Sequence, residues 1–358
     1  MTMETMKKIL LGLSLISVLG ACPVQAQNTG TAAKLVYATI TKTEPGEYKL
    51  PLGSAMEDFA YPFPVQFLPL TNEGQPVRMA YMDVQYDFVK APPRSGTIVL
   101  MHGKNFYGSY WERTIRSLAA QGYRVIVPDQ IGFGKSSKPE IAYSFDLLAA
   151  NTAALLDALD VKKATIVGHS MGGMLAVRFA RNYPDRTEKL VLENPIGLED
   201  YRFKVPVQTT QQVYESELKN TRALNHRNFL KTYFVEWKPE YEKFVEVRSR
   251  VALGGEYPRW AKAAALTYQM IYQQPVRHEF GLIQTPTLLV IGQEDRTTLG
   301  RGAVTPEVLK TLGQYPRLGK EAARDIPNSK LVEIKNVGHI PHLEAADIFH
   351  KALLDFLR

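Results

Sequence analysis

Six short runs of apolar residues recur along the chain, at 97–101, 123–127, 164–167, 189–192, 286–291 and 330–334. Each is too short for a helix and rich in Val, Ile and Leu, so each reads as a strand. Segments with helical spacing lie between or after them, at 109–121, 145–159, 171–183, 306–323 and 342–357. Strands that are apolar throughout belong in a sheet covered on both faces by the alternating helices. An alternating pair at 65–70 and 77–84, around Thr71-Asn72-Glu73-Gly74, predicts a hairpin ahead of this pattern. The strand–helix alternation stops at Pro195 and resumes near 281. Between them, 197–280 carries helical segments broken by Pro239, Gly254-Gly255 and Pro258, and no strand pattern. The expected fold is α/β: a mostly parallel sheet flanked by helices, its core built from 65–196 and 281–358, with a helical insertion at 197–280. Residues 27–64 form an N-terminal extension, and the mostly polar stretch 27–60 is expected to wrap the surface. The stretch 297–316, with its Gly, Pro and basic residues, also reads as surface decoration.

The first 26 residues read as an address rather than as part of the fold. Lys7 and Lys8 precede an apolar run at 9–21, and Val24-Gln25-Ala26 follows. A short basic segment, a short apolar core and small residues describe an export signal cut after Ala26. The run is shorter than the roughly 20 residues that span a bilayer, so no transmembrane segment is expected in the mature chain. The expected location is periplasmic or secreted. A lipid anchor at Cys22, the single cysteine, is the alternative.

Composition narrows the field. With 45% apolar, 22% charged and 10% aromatic residues, the chain is ordinary globular protein. A single cysteine excludes an internal disulfide and a cysteine-based metal site. The net charge of +7 is spread along the chain, with no basic stripe for nucleic acid. There is no H-E-x-x-H, no P-loop, and Gly132-Phe133-Gly134 lacks a third spaced glycine. No cofactor and no metal are implied; the expected partner is a small molecule.

Gly168-His169-Ser170-Met171-Gly172 is G-x-S-x-G between a strand and a helical segment. A serine there sits on a sharp turn with its hydroxyl projecting, and small residues two before and two after avoid a clash across the turn. The following helix turns its free N–H groups and positive dipole end towards the serine oxygen. With this motif in this setting, the chain resembles the α/β-hydrolase fold superfamily, of the lid-bearing serine esterase type, over roughly residues 77–358. The resemblance implies eight mostly parallel strands, with the nucleophile after the fifth, an acid after the seventh and a histidine after the last.

A serine hydroxyl needs a base within hydrogen-bond reach, and the base needs an orienting carboxylate. His339, in Val337-Gly338-His339-Ile340-Pro341, follows the last strand, where ligands and catalytic groups gather in open parallel sheets. His102 and His169 lie in turns, while His226, His278 and His350 lie on helical segments. His342 opens the last helix and is expected at the surface. Asp295 follows the strand at 286–291 and matches the family's acid position; neighbouring Glu294 reads as exposed, and Glu193 is the runner-up. By resemblance, the backbone N–H groups of Lys104, after His102-Gly103, and of Met171 form the oxyanion hole.

Hydrolysis of a small or medium carboxylic ester through an acyl-enzyme is therefore expected, with Ser170, Asp295 and His339 as its catalytic residues. The same machinery serves a lactone, an amide, a C–C bond or a peracid, and a non-catalytic periplasmic binding protein on this fold is the reading from another class. The insertion holds 14 of the 36 aromatic residues, which suggests an apolar roof over the serine. Its 13 basic and 10 acidic side chains are too balanced to imply a charged substrate.

Overall fold

The computed structural model describes residues 48–85 and 96–358. Residues 1–26, expected to be an export signal, Cys22 and the first part of the N-terminal extension lie outside the described residues. Eight strands form one sheet: β1 (Val65–Asn72), β2 (Gln75–Val84), β3 (Thr97–Met101), β4 (Arg124–Pro128), β5 (Ala164–His169), β6 (Thr187–Glu193), β7 (Thr287–Gly292) and β8 (Ser329–Ile334). Their spatial order is β1-β2-β4-β3-β5-β6-β7-β8. The hairpin β1–β2 is antiparallel, as is β2 against β4, and every other pairing is parallel.

The two-residue period of a strand sorts the apolar runs onto two faces. Ile98, Leu100, Val125, Val127, Val167, Val191, Leu288 and Val290 face one side, where α1 (Glu112–Ala119) and α11 (Ala346–Leu357) bring Ile115, Leu118, Phe349 and Leu353. Val99, Met101, Ile126, Ile166, Leu190, Leu192, Leu289 and Ile291 face the other. There α2 (Phe145–Ala158), α3 (Met171–Asn182) and α9 (Tyr315–Asp325) bring Leu148, Leu155, Leu175, Phe179, Leu318 and Ala322. Each such side chain contributes about 1.5–3 kcal/mol when taken out of water.

Four longer helices, α4 (Thr210–Lys219), α5 (Ala223–Lys231), α6 (Glu242–Ala252) and α7 (Tyr257–Gln273), lie between β6 and β7 in the chain. Thr209 and Gln212 form a reciprocal capping box that starts α4. Short helices α8 (Pro306–Leu309) and α10 (Pro341–Glu344) complete the set. Among the described residues no helix is long and apolar enough to cross a membrane.

Two surface expectations change. Leu52 and Met56, from the extension, are buried in a cluster with Tyr107, Val247, Val251 and Tyr257, and the Leu52 N–H donates to the Arg250 carbonyl at 2.9 Å. The segment around them, 50–59, shows neither a strand nor a helical period, so the contact could not be read locally. Leu299, Leu312 and Tyr315, from 297–316, are likewise buried in the main core. Gly300, at φ 66°, lies so close to Val205 of the insertion that a Cβ would overlap it. This stretch packs on the core and the insertion rather than decorating the outside.

The register brings the functional loops to one edge. Met101 pairs with Gly168, His169 with Glu193, Glu193 with Val290 and Gly292 with Ile334. The loops carrying residues 102–104, 170, 194, 295 and 339 therefore leave the sheet at neighbouring strand ends.

Candidate active site

Ser170 sits between β5 and α3 with φ 57° and ψ −121°. A non-glycine residue at such angles stores about 1–3 kcal/mol of strain, which only a tightly fixed surrounding can hold. The surroundings supply that constraint. A Cβ on Gly168 would overlap the Gly172 carbonyl oxygen, and one on Gly172 would overlap the carbonyl of Met101 in β3. One on Gly173 would lie 2.5 Å from the Pro195 Cβ. The glycines thus let helix and strands close around the serine.

His339 reaches it from the loop after β8. Its Nε2 lies 2.9 Å from the Ser170 Oγ, and its Nδ1 lies 2.7 Å from the Asp295 Oδ2. All three residues are buried. A carboxylate can only accept, so Nδ1 carries the proton and Nε2 is left to accept from the serine hydroxyl. Asp295 is itself held: Asn194 Nδ2 donates to its Oδ2 at 2.8 Å, and the Thr297 N–H donates to its Oδ1 at 2.7 Å. Burial pushes this carboxyl's pKa up, but the His339 charge and the hydrogen bonds from His339, Thr297 and Asn194 outweigh burial and hold it below its ordinary value.

Glu193 does not approach His339 in this way. Its Oε1 accepts from the His342 N–H at 2.6 Å, and both carboxylate oxygens lie 3.0 Å from the His342 Nδ1. Both residues are fully buried, with the His342 ring stacked 4.0 Å from Trp111. His342 is therefore not a surface residue. Pro341 starts α10 so that the next residue turns under the end of β6. Glu294 is exposed, as expected.

The loop after β3 closes the other side. A Cβ on Gly103 would stand 3.0 Å from the Ser170 Cβ, so this loop abuts Ser170. Both polar atoms of Gly103 are fixed: its N–H donates to the Tyr110 hydroxyl at 3.0 Å, and its carbonyl accepts from the His102 Nδ1 at 2.9 Å. The Met171 N–H opens α3 and has no partner within the helix. Neither it nor the Lys104 N–H meets a backbone acceptor among the described residues.

Sequence reasoning missed several supporting residues. His169 Nε2 lies 2.8 Å from the His339 carbonyl, and its Nδ1 lies 2.9 Å from the Tyr110 hydroxyl. The His339 N–H donates to the Tyr233 carbonyl at 2.7 Å, and the two rings lie 4.6 Å apart. Tyr233 and its neighbour Phe106, 6.1 Å away ring to ring, bring aromatic surface to the site. Asn194 alone left a trace in the sequence, as a polar residue directly after an apolar strand. No group of His, Cys, Asp and Glu able to hold a metal occurs among the described residues.

Comparison with known proteins gives a consistent picture. Residues 96–346 match the alpha/beta hydrolase fold family. A probable hydrolytic enzyme of Pseudomonas aeruginosa superposes with a TM-score of 0.84 at 46% identity, over 86% of this chain and 99% of its own. A 2-hydroxy-6-oxononadienedioate/2-hydroxy-6-oxononatrienedioate hydrolase of Burkholderia vietnamiensis is 27% identical over 82% of this chain and 95% of its own. A bromoperoxidase of Bacillus anthracis superposes with a TM-score of 0.60 at 25% identity, over 82% of this chain and 99% of its own.

Proposed function

The chain belongs to the alpha/beta hydrolase family, and from that premise we propose that it hydrolyses a small or medium carboxylic ester through an acyl intermediate on Ser170. The observation that carries the proposal is the 2.9 Å contact between the His339 Nε2 and the Ser170 Oγ, with Asp295 behind the ring. As Oγ attacks the carbonyl carbon, its proton passes to Nε2. Asp295 holds the imidazole in the right tautomer and stabilises the imidazolium that forms. The developing oxyanion is received by the N–H groups of Lys104 and Met171, each such donor contributing about 3 kcal/mol to the transition state. His339 then returns the proton to the leaving alkoxide as the C–O bond breaks. A water, deprotonated by the same Nε2, attacks the acyl carbon and releases the acid and free Ser170.

Several features support an insertion that acts as an aromatic cover. Tyr233 lies against His339 from α5's end, and Phe106 packs edge-on to Phe244 at 5.2 Å. Such a cover excludes water and strengthens the charges inside. A second reading is cleavage of a C–C bond beside a ketone, with an enolate as leaving group. The likeness to the Burkholderia vietnamiensis hydrolase favours it.

A panel of methyl esters of rising acyl length, with a lactone, an amide and a 1,5-diketone beside it, tests the proposal. Turnover of at least one ester, absent in Ser170→Ala, is expected. Silence on every ester with Ser170-dependent turnover of the diketone would replace the first reading by the second.

A further inference from the structure

The Lys104 ammonium has no part in the chemistry above, which uses only that residue's backbone. Its side chain leaves the loop that abuts Ser170 and runs to α7, where Nζ donates to the Ala264 carbonyl at 2.8 Å and to the Thr267 Oγ1 at 3.3 Å. Both acceptors are neutral. Thr267 donates its own hydroxyl to the Ala263 and Ala264 carbonyls, at 2.8 and 3.1 Å, so it can only accept from the lysine. An ammonium has three protons, and two are used. Among the described residues no carboxylate lies within ion-pair distance of Nζ. Burial, with a smaller push from Arg248 and against a pull from Glu217, lowers its pKa to about 8.

Lys104 also lines a cavity of about 40 Å3, together with Asn105, Phe106, Phe244, Arg248 and Trp260. That volume admits two or three waters, or a carboxylate with a carbon or two. The Arg248 charge there is already answered: Nη2 donates to the Glu217 carboxylate at 2.6 Å, and the guanidinium lies 4.3 Å from the Trp260 ring centroid. The Lys104 ammonium is left with neutral hydrogen-bond partners and no ion pair of its own. A desolvated ammonium without an ion-pair partner is costly, and groups perturbed by burial in this way gather at functional sites.

We propose that this cavity is a carboxylate subsite, and that the substrate opened at Ser170 carries a carboxylate that seats against the Lys104 ammonium. The proposal rests on Ser170 acting as the nucleophile and names the substrate class. One residue would then serve both ends of the substrate, its N–H at the reacting oxygen and its ammonium at the distal anion. The near-neutral charge of the whole insertion hides this, because the cation enters from the β3 loop.

The test compares monomethyl succinate, glutarate and adipate with methyl butyrate, valerate and hexanoate, followed by acid release. Wild type is expected to favour the acid-bearing partner at least tenfold in kcat/KM at one chain length. Since the Lys104 backbone also serves the reaction, only this ratio is compared between proteins. It should fall at least tenfold in Lys104→Met and survive in Lys104→Arg. A wild-type ratio below one at every length, or a ratio unchanged in Lys104→Met, overturns the proposal. Calorimetric titration of Ser170→Ala with glutarate and with dimethyl glutarate needs no turnover. Glutarate should bind at least tenfold tighter than the diester, and lose that margin when Lys104→Met is added; equal binding of the two overturns the proposal. Lys104-dependent glutarate binding without ester turnover would retain the subsite and reject the ester reading instead.

Discussion

The ring of His169 lies directly behind that of His339, with its Nε2 2.8 Å from the His339 carbonyl oxygen. The residue before Ser170 thus holds the loop that carries His339. The proton positions in this chain are fixed by chemistry. The Gly103 N–H and the His339 carbonyl can each play one part only, so His169 donates from Nε2 and Tyr110 donates its hydroxyl to Nδ1. Burial first, then the neighbouring His339 and His342, pushes the His169 pKa well below its ordinary value and keeps the ring neutral.

Tyr110 and His169 therefore tie the Gly103 loop to the His339 loop, and under the proposed mechanism they are positioning residues. Tyr110→Phe leaves a buried N–H and a ring nitrogen without partners, which costs on the order of 1–3 kcal/mol each. Small displacements of the base are expected to lower kcat on the order of 100-fold with KM little changed. Steady-state kinetics alongside a thermal melt checks this: loss of stability with unchanged kcat would make the pair structural only.

Asp295 and Glu193 are both buried carboxylates beside a histidine, and substitution separates them. Asp295→Asn should keep the fold and lower kcat by about 10^4, because the wrong imidazole tautomer is favoured. Glu193→Gln should keep most of the turnover and lose stability, since its side chain bonds to His342 while His339 is bonded to Asp295. The opposite pattern in kcat would move the orienting role to Glu193.

Much of this was legible beforehand because the strand code is local. Six apolar runs and one alternating pair placed all eight strands within a few residues, and the turn glycines announced the strained serine. The buried polar network was not legible. His342, Tyr110 and His169 owe their burial to partners more than fifty residues away in the chain, as with Tyr110 and His169 themselves. Leu52 and Met56 had no periodic neighbours to betray them. The stretch 297–316 looked like surface because its few apolar residues are spaced irregularly, yet Leu299 and Leu312 close the core.

Backbone strain at Ser170 gives a stability prediction. Glycine tolerates φ 57° without penalty, so Ser170→Gly should be inactive yet no less stable than wild type, with a melting temperature equal or a few degrees higher. A clear drop in melting temperature would show that the serine side chain contributes more to packing than its strain costs.

Acid should destabilise the fold over a defined range. His226 is buried in the insertion, its Nε2–H donating to the Asn220 carbonyl at 2.7 Å and its Nδ1 accepting from Ser249 at 3.1 Å. Burial, aided by Arg248, lowers its pKa to about 4. The unfolded chain, with an ordinary histidine near 6.5, binds the proton first. Stability from this group is therefore complete above about pH 6.5 and is lost as pH falls towards 4, by roughly 2–3 kcal/mol. Urea melts at pH 7.5 and 5 should show the loss, and His226→Gln should reduce the difference between them. An equal difference in the variant would assign the loss to other groups.

Export remains a proposal from the sequence alone. Cleavage after Ala26 predicts a mature chain beginning at Gln27, read by N-terminal sequencing of protein from the exported fraction. A lipid-blocked Cys22 would contradict it.

The central claim is that the Ser170 hydroxyl becomes a nucleophile because the His339 imidazole accepts its proton. Intact-protein and peptide mass spectrometry after reaction with a fluorophosphonate probe tests that claim most directly. One adduct on the peptide containing Ser170, formed at least 100-fold more slowly in folded His339→Ala, is the expected result. No adduct on folded wild type, or labelling at the same rate without the imidazole, would contradict it.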